Sequence, residues 1–319
     1  MSANTNKEMR VVLKETLQEL MAGNERIAVI DADLARANGT MDLREIYPDR
    51  AFDVGIAEQN MASIAAGLAS CGMIPLIFTF TPFATRRICD QIAVSIAYAK
   101  SNVKIFGTDP GLAAELNGAT HMSVEDVGVL RSIPGIVIYE AVDGEQLAQA
   151  LPQIIAHEGP VYTRLFRKTI TPVFENKGYT FSLFKADTLK EGNDVSIFAS
   201  GIMVQESIEA LKLLEKEGIS AELINVHTVK PLDENAILAS AAKTGTVVSC
   251  ENHNVIGGLG SAVAETLSRR LPTPVRMIGI QDRFGQVGML PFLKQEYGMT
   301  AQDIANAAKE AVAEKKNKR

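Results

Sequence analysis

Short runs of apolar residues alternate with longer amphipathic stretches along the first half of the chain. Each run is apolar throughout, which is typical of strands buried on both faces of a sheet. Helical spacing of apolar positions predicts helices over 83–100 and 143–157. The apolar runs are IAVID (27–31), IPLIFTF (74–80), VKIFGTD (103–109) and IVIYEA (136–141). Strands that alternate with helices in this way predict a parallel sheet covered on both faces.

The pattern weakens between Lys168 and Asn193, where prolines, glycines and charges predict a linker or an irregular hairpin. Alternation then resumes with the runs VSIFASG, AELINVHTV, TVVSCEN and VRMIGI and with predicted helices near 203–216, 233–242 and 258–270. The sequence therefore predicts an α/β fold of two domains, each a mostly parallel sheet flanked by helices. The first would span residues 1–190, including the linker from about 168, and the second residues 191–319.

Composition limits the classes of function. Hydrophobic residues make up 46% of the chain and charged residues 22%, which is typical of a soluble globular protein. The net charge of -6 argues against nucleic-acid binding, which requires clustered cations. No apolar run approaches the roughly eighteen residues that cross a membrane, and the first ten residues lack the apolar core of a signal peptide. We therefore expect a cytoplasmic protein.

The three cysteines, Cys71, Cys89 and Cys250, are far apart and form no CxxC pair. This spacing predicts neither a disulfide framework nor a zinc site. We expect no metal ligands in this chain.

Glu58 is the first candidate for chemistry, because it stands where a strand and a helix are predicted to meet. Val54–Ile56 are predicted to end a buried strand, and Met61–Leu68 carry apolar residues at helical spacing. A carboxylate at this junction would have little water around it. The alternative is that Glu58 caps the helix, since acids are favoured in the first turn.

A glycine-rich segment, TVVSCENHNVIGGLGSAVAE, suggests a dinucleotide-binding turn, with Asp282 near the position of a ribose-binding acid. That fingerprint requires a tight turn directly after the strand, whereas Glu251–Ile256 intervene here. The alternative is that Gly257, Gly258 and Gly260 allow close helix packing. The sequence therefore favours a packing role for these glycines over the dinucleotide-binding site of a dehydrogenase.

One ordered set of motifs resembles the pyrimidine-binding half of the transketolase family of thiamine diphosphate enzymes. It comprises GIAEQ, the aromatic pair in FTFTPF, DQ on the next helix and GATH before a further helix. The resemblance continues through EDVGVLRSIPG, PVYTR and SCENHNVIGGLGSAVAE, and so covers nearly the whole chain. The chain looks like the C-terminal subunit of a split transketolase, with pyrimidine-binding and C-terminal domains.

The resemblance implies roles around the cofactor. Glu58 matches a buried glutamate that hydrogen-bonds a ring nitrogen of the aminopyrimidine and promotes its imino tautomer. Phe80 and Phe83 match an aromatic wall that stacks on the pyrimidine, although core packing would also account for them. Asp33 and Leu34 match a loop that approaches the cofactor.

The resemblance also implies a sugar-binding side. His121 matches a catalytic histidine that hydrogen-bonds the donor's hydroxyls. Arg164 and Arg10 match arginines that hold the sugar phosphate, a task that suits the guanidinium fork. Without the family motifs, each would be interpreted as a structural or surface residue.

Several positions depart from the family pattern. Asn117 replaces an aspartate that reads hydroxyl stereochemistry, and Asp109 replaces a phosphate-binding histidine, while Ala37 stands where a serine is usual. Arg36 is an extra cation near the same loops, and Arg86 replaces a tyrosine on the cofactor wall. Asp109 would repel a phosphate unless an arginine compensates. We expect an unusual ketose phosphate, such as apulose 4-phosphate, as an alternative to the ordinary donors.

The diphosphate and Mg2+ motif of the family, GDG followed by an asparagine, is absent from the sequence. The resemblance therefore implies a separate N-terminal subunit that carries it and binds Mg2+. The expected assembly is a heterotetramer in which this chain pairs with its own copy across a two-fold axis. Its function would be two-carbon ketol transfer from a ketose phosphate to an aldose phosphate.

Three alternatives stay open. The beta chains of 2-oxo-acid decarboxylating dehydrogenases share the GIxEQ pattern but lack GATH. Deoxyxylulose phosphate synthase shares GIAEQ but carries both halves in one chain. A non-catalytic scaffolding subunit is the third, and the joint presence of Glu58, Phe80 and His121 argues against it.

Overall fold

The computed structural model describes residues 7–174 and 178–317, and within these ranges the chain forms two α/β units. The strands are β1 (Ile27–Asp31), β2 (Ala51–Asp53), β3 (Ile74–Phe80), β4 (Lys104–Thr108), β5 (Val137–Glu140), β6 (Val161–Leu165), β7 (Asp187–Lys190), β8 (Val195–Ala199), β9 (Ala221–Asn225), β10 (Thr228–Lys230), β11 (Val247–Asn254) and β12 (Val275–Ile280). Most of the residues in these strands are buried, as continuous apolar runs predict.

Helices cover the faces of both sheets. They are α1 (Met9–Gly23), α2 (Ala35–Asn38), α3 (Leu43–Ile46), α4 (Glu58–Ser70), α5 (Thr81–Ala84), α6 (Cys89–Gln91), α7 (Asp126–Arg131), α8 (Gly144–Ala156), α9 (Met203–Lys216), α10 (Glu234–Thr244), α11 (Leu259–Arg270), α12 (Leu290–Glu296) and α13 (Ala301–Asn317). Two 3₁₀ segments, Arg86–Ile88 and Gly111–Asn117, and a π-helix, Ile92–Tyr98, complete the regular structure of the described residues.

The first sheet has the strand order β10-β5-β6-β4-β3-β1-β2, and all of its pairs are parallel except β10 with β5. The second has the order β12-β11-β8-β9-β7, and only β7 runs antiparallel to its neighbour. Two mostly parallel sheets flanked by helices confirm the predicted fold class.

The stretch predicted as one helix over 83–100 is broken. It consists of the end of α5, the 3₁₀ turn, α6 and the π-helix. The break falls at Thr85, whose φ of -129° and ψ of -86° are not helical. Ile88, Ile92 and Ile96 are fully buried at a spacing of four, so one apolar stripe survives the change of helix type.

The two units share elements near the predicted linker. β7 lies inside the stretch 168–193 that was predicted to be irregular, and it pairs with β9 of the second sheet. β10 comes from the second half of the chain but pairs with β5 of the first sheet. A division near residue 190 therefore stays a prediction. Within the ranges described, none of the helices combines the length and apolar character required to cross a membrane.

A second connection between the units runs through Asn252 on β11. Its side chain donates to the carbonyl oxygen of Pro110 at 2.8 Å and accepts from the amide of Leu112 at 2.9 Å. Asn252 is fully buried, so these bonds are shielded from water. The second unit thereby holds the start of the 3₁₀ segment that follows β4.

A buried polar network ties α2 to the ends of β1 and β4. Asp31 accepts from the Asn38 side chain at 3.1 Å and from the Thr40 hydroxyl at 2.7 Å. Asn38 in turn accepts from Thr108 at 2.9 Å. Burial raises the pKa of Asp31 to about 6 despite these bonds.

We expect Asp31→Asn to change how stability depends on pH. Because the pKa of Asp31 is higher in the folded chain, the folded state binds more protons between about pH 4 and 6, and its unfolding free energy falls as pH rises there. The Asp31→Asn protein has no titrating group at this position, so its unfolding free energy does not fall in this way. Relative to wild type, its unfolding free energy therefore rises by about 3 kcal/mol across that window. Urea unfolding at several pH values measures it, with the exposed Asp49→Asn as control. A difference that is constant with pH contradicts the prediction.

Candidate active site

The predicted site residues gather at the carboxyl ends of the parallel strands of the first sheet. Asp33 and Leu34 follow β1, Phe80 ends β3, and Asp109 follows β4. Ligands of open α/β sheets bind at this edge, because the loops after neighbouring strands converge there.

Glu58 begins α4 and is 3% exposed. The strand β2 ends at Asp53, so a loop and not a strand precedes the helix as far as Ala57. One carboxylate oxygen, Oε1, accepts from the Nη1 of Arg87 at 2.7 Å. The acid is thus buried at the helix start and paired with a cation, consistent with the helix-end preference for acids.

Three aromatic side chains lie together beside this pair. The ring centroids of Phe80 and Phe83 are 6.3 Å apart, and His121 lies 6.1 Å from the first and 5.4 Å from the second. The guanidinium of Arg87 sits 3.8 Å from the centroid of Phe83. A buried carboxylate next to aromatic faces fits a flat heteroaromatic ring with a nitrogen to protonate.

A second cluster of charged residues adjoins Phe80. Arg167 donates through Nε to Asp109 Oδ2 at 2.8 Å, and its guanidinium carbon lies 4.9 Å from the centroid of Phe80. Arg167 also donates to the carbonyl oxygen of Ala37 at 2.8 Å, and Arg10 approaches the same oxygen at 3.4 Å. The structure therefore brings Arg10, Asp109 and Ala37 together with an arginine that the sequence did not single out.

Asn117 and His121 belong to one loop. Asn117 is exposed at the end of the 3₁₀ segment, and Gly118, with φ of +72°, turns the chain toward His121. His121 Nδ1 lies 2.9 Å from the hydroxyl of Thr120. The side chain of Glu115, three residues before Gly118, pairs with Lys168.

The remaining predicted residues lie on α2, just before it, and on the 3₁₀ turn that follows α5. Asp33 is exposed, with φ of +59°, and its amide donates to the carboxylate of Asp53 at 3.0 Å. Leu34 is half-buried and Arg36 is exposed on α2. Arg86 pairs with Glu125 at 2.8 Å.

Arg164 does not join these residues. Its side chain is 1% exposed, and it pairs with Asp126 at 2.7 Å and with Glu140 at 2.8 Å. It also donates to the carbonyl oxygen of Asn252 at 2.9 Å. Burial alone would raise the pKa of Asp126, but the charge of Arg164, together with His253 and the hydrogen bonds from Arg164 and Tyr162, holds that pKa below its ordinary value. A guanidinium so enclosed has a structural position, which does not suit the expected contact with a sugar phosphate.

The sequence analysis did not single out Arg87 or Arg167, although the sequence contains a signal for each of them. Arg87 is the second arginine of TRR, directly after the aromatic pair. Arg167 lies in VYTRLFR, two residues beyond the end of β6, whereas Arg164 lies within that strand. Residues that follow a buried parallel strand reach the ligand edge, so strand bounds would have favoured Arg167.

Arg164→Met tests the structural role. The substitution leaves Asp126 and Glu140 buried without their cation, so we expect a loss of about 3–5 kcal/mol in unfolding free energy. Denaturant unfolding measures it. The control is Arg269→Met, which breaks an exposed pair with Glu234 and should cost less than about 1 kcal/mol. A fully stable Arg164→Met protein that binds sugar phosphate poorly would return Arg164 to the substrate site.

Family models match both halves of the chain. The transketolase pyrimidine-binding domain matches residues 5–172, and the transketolase C-terminal domain matches residues 184–304.

Curated relatives match over nearly the whole length. The 6-deoxy-6-sulfo-D-fructose transketolase subunit SqwH of Clostridium sp. (strain MSTE9) is 51% identical, over 97% of this chain and 95% of the relative. An apulose-4-phosphate transketolase subunit of Phocaeicola vulgatus is 36% identical, over 97% of this chain and 99% of the relative.

Solved structures agree with these matches. A structure described as a split gene transketolase, inactive beta4 tetramer, superposes with a TM-score of 0.89 at 40% identity and covers 96% of this chain and 99% of its own. Transketolase from Leishmania mexicana has a TM-score of 0.82 at 20% identity, which is a likeness of fold, and this chain spans 47% of it. On its family models, relatives and fold, the chain belongs to the transketolase family and resembles the separate subunits of its split members.

Proposed function

We propose that this chain is the catalytic C-terminal subunit of a split, thiamine-diphosphate-dependent transketolase. The observation that carries the proposal is that Arg87 joins the buried Glu58 to the face of Phe83, against which Phe80 and His121 pack. When bound, thiamine diphosphate would supply the carbon nucleophile on which the transfer of a two-carbon ketol unit from a ketose to an aldose depends.

Glu58 holds a proton at a ring nitrogen of the cofactor's pyrimidine. Its burial at 3% exposure keeps water from competing for that hydrogen bond. Phe80 and Phe83 provide the apolar faces against which the ring stacks. Asp33, Leu34 and Arg86 line the approach to the same ring.

His121 and Asn117 bind the hydroxyls of the sugar donor. Asn117 ends the 3₁₀ segment and His121 follows it, and Asn252 of the second unit anchors the start of that segment. The anionic end of the donor lies toward Arg10 and Arg167, with Arg36 as a further cation on α2. Arg167 takes the part that the sequence had assigned to Arg164.

A separate subunit completes the site. The GDG motif is absent from the sequence, and two relatives that match nearly its whole length are named as transketolase subunits. We propose that the partner binds the diphosphate and Mg2+, and that two copies of each chain form a heterotetramer. The three cysteines are free thiols, which suits the reducing cytoplasm.

Two donor classes have specific support. The relative that is 51% identical is named for a sulfonated fructose, and the relative that is 36% identical is named for apulose 4-phosphate. The ordinary ketose phosphates remain candidates, because Asn117 and Asp109 change the family pattern without removing the surrounding cations. The higher identity favours a ketose with a sulfonate end.

Two-carbon transfer by the purified chain, with and without a candidate GDG-bearing partner, tests the function. We expect activity only with both chains, thiamine diphosphate and Mg2+, and a loss of at least about 100-fold in kcat for Glu58→Gln. Exposed Glu45→Gln is the control. Donors are 6-deoxy-6-sulfo-D-fructose, apulose 4-phosphate and xylulose 5-phosphate.

Transfer from none of these donors would contradict the proposal. Turnover of 2-oxo acids instead would favour the beta chain of a decarboxylating dehydrogenase. A stable complex that binds cofactor without any turnover would favour a scaffolding subunit.

Arg87 adds a requirement for cofactor binding. Its guanidinium contacts both Glu58 and the face of Phe83, which are the two groups assigned to the pyrimidine. The guanidinium and the pyrimidine compete for the same carboxylate and the same ring. Arg87 therefore leaves this position when the cofactor binds.

We expect Arg87→Ala to tighten thiamine diphosphate binding by several-fold, because the competing cation is gone. Calorimetric titration of the assembled complex measures the Kd independently of activity. Arg269→Ala, at an exposed ion pair, is the matched control and should leave Kd unchanged. Weaker binding in Arg87→Ala would identify Arg87 as a cofactor ligand.

A further inference from the structure

We propose that Asp109, with Arg167 and Arg10, selects sugar donors whose terminal group carries one negative charge over donors whose terminal group carries two. In chemical terms, the subsite prefers a sulfonate to a phosphate monoester dianion. This inference rests on the proposed function, since it concerns the same sugar donor. It adds the residue that decides which terminal charge on that donor the site prefers.

The subsite is built from two guanidinium groups that converge on one acceptor. Arg167 donates to the carbonyl oxygen of Ala37 at 2.8 Å, and Arg10 approaches that oxygen at 3.4 Å. Their backbones are also joined, because the amide of Arg10 donates to the carbonyl oxygen of Arg167 at 3.1 Å. Two arginines fixed to one atom form a pair of forks suited to a tetrahedral oxyanion.

Both arginines keep unused N–H groups after they have formed their hydrogen bonds within the protein. A guanidinium has five N–H groups. Arg167 directs N–H groups at Asp109 and Ala37, and Arg10 uses Nε on Glu8 at 2.7 Å. Each side chain therefore retains N–H groups for an anion.

The subsite adjoins the sugar-binding region. The guanidinium of Arg167 lies over Phe80, whose other neighbours are Phe83 and His121. A donor bound at His121 can therefore extend past Phe80 and bring its terminal group to the arginines.

The charges of the cluster decide which anion is stabilised. Arg167 is matched by Asp109, Arg10 by Glu8, and neighbouring Lys168 by Glu115. Each of these three cations is thus already matched by one carboxylate. The cluster therefore has no surplus of positive charge with which to balance a second negative charge on the donor.

Asp109 is the group that penalises a second charge. Its side chain is 4% exposed, so solvent screens it weakly, and it cannot turn away because Arg167 holds it through both side chain and amide. A sulfonate carries a single charge at any working pH. A phosphate ester has its second pKa near about 6 and is mostly a dianion at neutral pH, so its extra charge meets this carboxylate.

Two donors of the same sugar test the inference in the assembled enzyme. They are 6-deoxy-6-sulfo-D-fructose and D-fructose 6-phosphate, which share the ketose and differ in the terminal group. We expect wild type to give the higher kcat/KM with the sulfonate. In Asp109→Asn, the ratio of sulfonate to phosphate kcat/KM should fall by about tenfold, because the repulsive charge is gone while the shape is kept. Exposed Asp49→Asn is the matched control.

The pH dependence of wild type gives a second readout that needs no variant. If the monoanion of the phosphate donor binds best, its kcat/KM relative to the sulfonate should rise about twentyfold from about pH 8 to pH 6.5. Taking the ratio of the two donors removes those effects of pH on the enzyme that act equally on both. This result also holds if Asp109→Asn folds poorly.

The outcomes separate this inference from the proposed function. Transfer that prefers the phosphate donor, or a donor ratio that is unchanged by both Asp109→Asn and pH, overturns the charge selection and leaves the transketolase activity standing. No transfer from any donor overturns the proposed function first.

Discussion

The buried charge of Arg164 is the constraint on which the arrangement of the two units depends. A guanidinium at 1% exposure is costly unless carboxylates and hydrogen-bond acceptors surround it. Asp126 and Glu140 come from the first unit, while the carbonyl oxygen of Asn252 comes from the second. Because the side chain of Asn252 also holds the start of the 3₁₀ segment that ends at Asn117, the position of the loop proposed to bind the sugar depends on the same residue.

The second unit supports the site in another way through Glu140. Its carboxylate pairs with Arg164 and also accepts from the hydroxyl of Ser200 at 2.8 Å. Its amide donates to the carbonyl oxygen of His227 at 2.8 Å, next to the strand β10 that joins the first sheet. The edge of the first sheet is thus completed by the second half of the chain. A domain that carries no proposed chemistry thereby determines where the chemistry-bearing loops lie.

Local patterns predicted the parts of this structure that depend on local physics. Continuous apolar runs predicted the first and last residues of β1 and β3 correctly, because strands buried on both faces have no polar side. The break at Thr85 and the pairing of β10 with β5 depend on tertiary packing, which periodicity does not contain. The same limit explains the site: motifs pointed to Glu58 and Phe83, whereas choosing between two arginines three residues apart required knowing where β6 ends.

The candidate site contains two similar ion pairs. Arg87 pairs with Glu58 over Phe83, and Arg167 pairs with Asp109 over Phe80. In each, a cation is held between a buried carboxylate and an aromatic ring, but the two differ in how firmly they are fixed. The side chain of Arg87 is 38% exposed and bonds one carboxylate oxygen, whereas that of Arg167 is 13% exposed and also bonds Ala37. The greater exposure of Arg87 makes the first pair less costly to separate than the second, which burial and the additional bond hold more firmly. The same three-part arrangement therefore suits two different proposed roles, a cation that the cofactor displaces at Glu58 and a fixed binding group for the terminal anion of the sugar at Asp109.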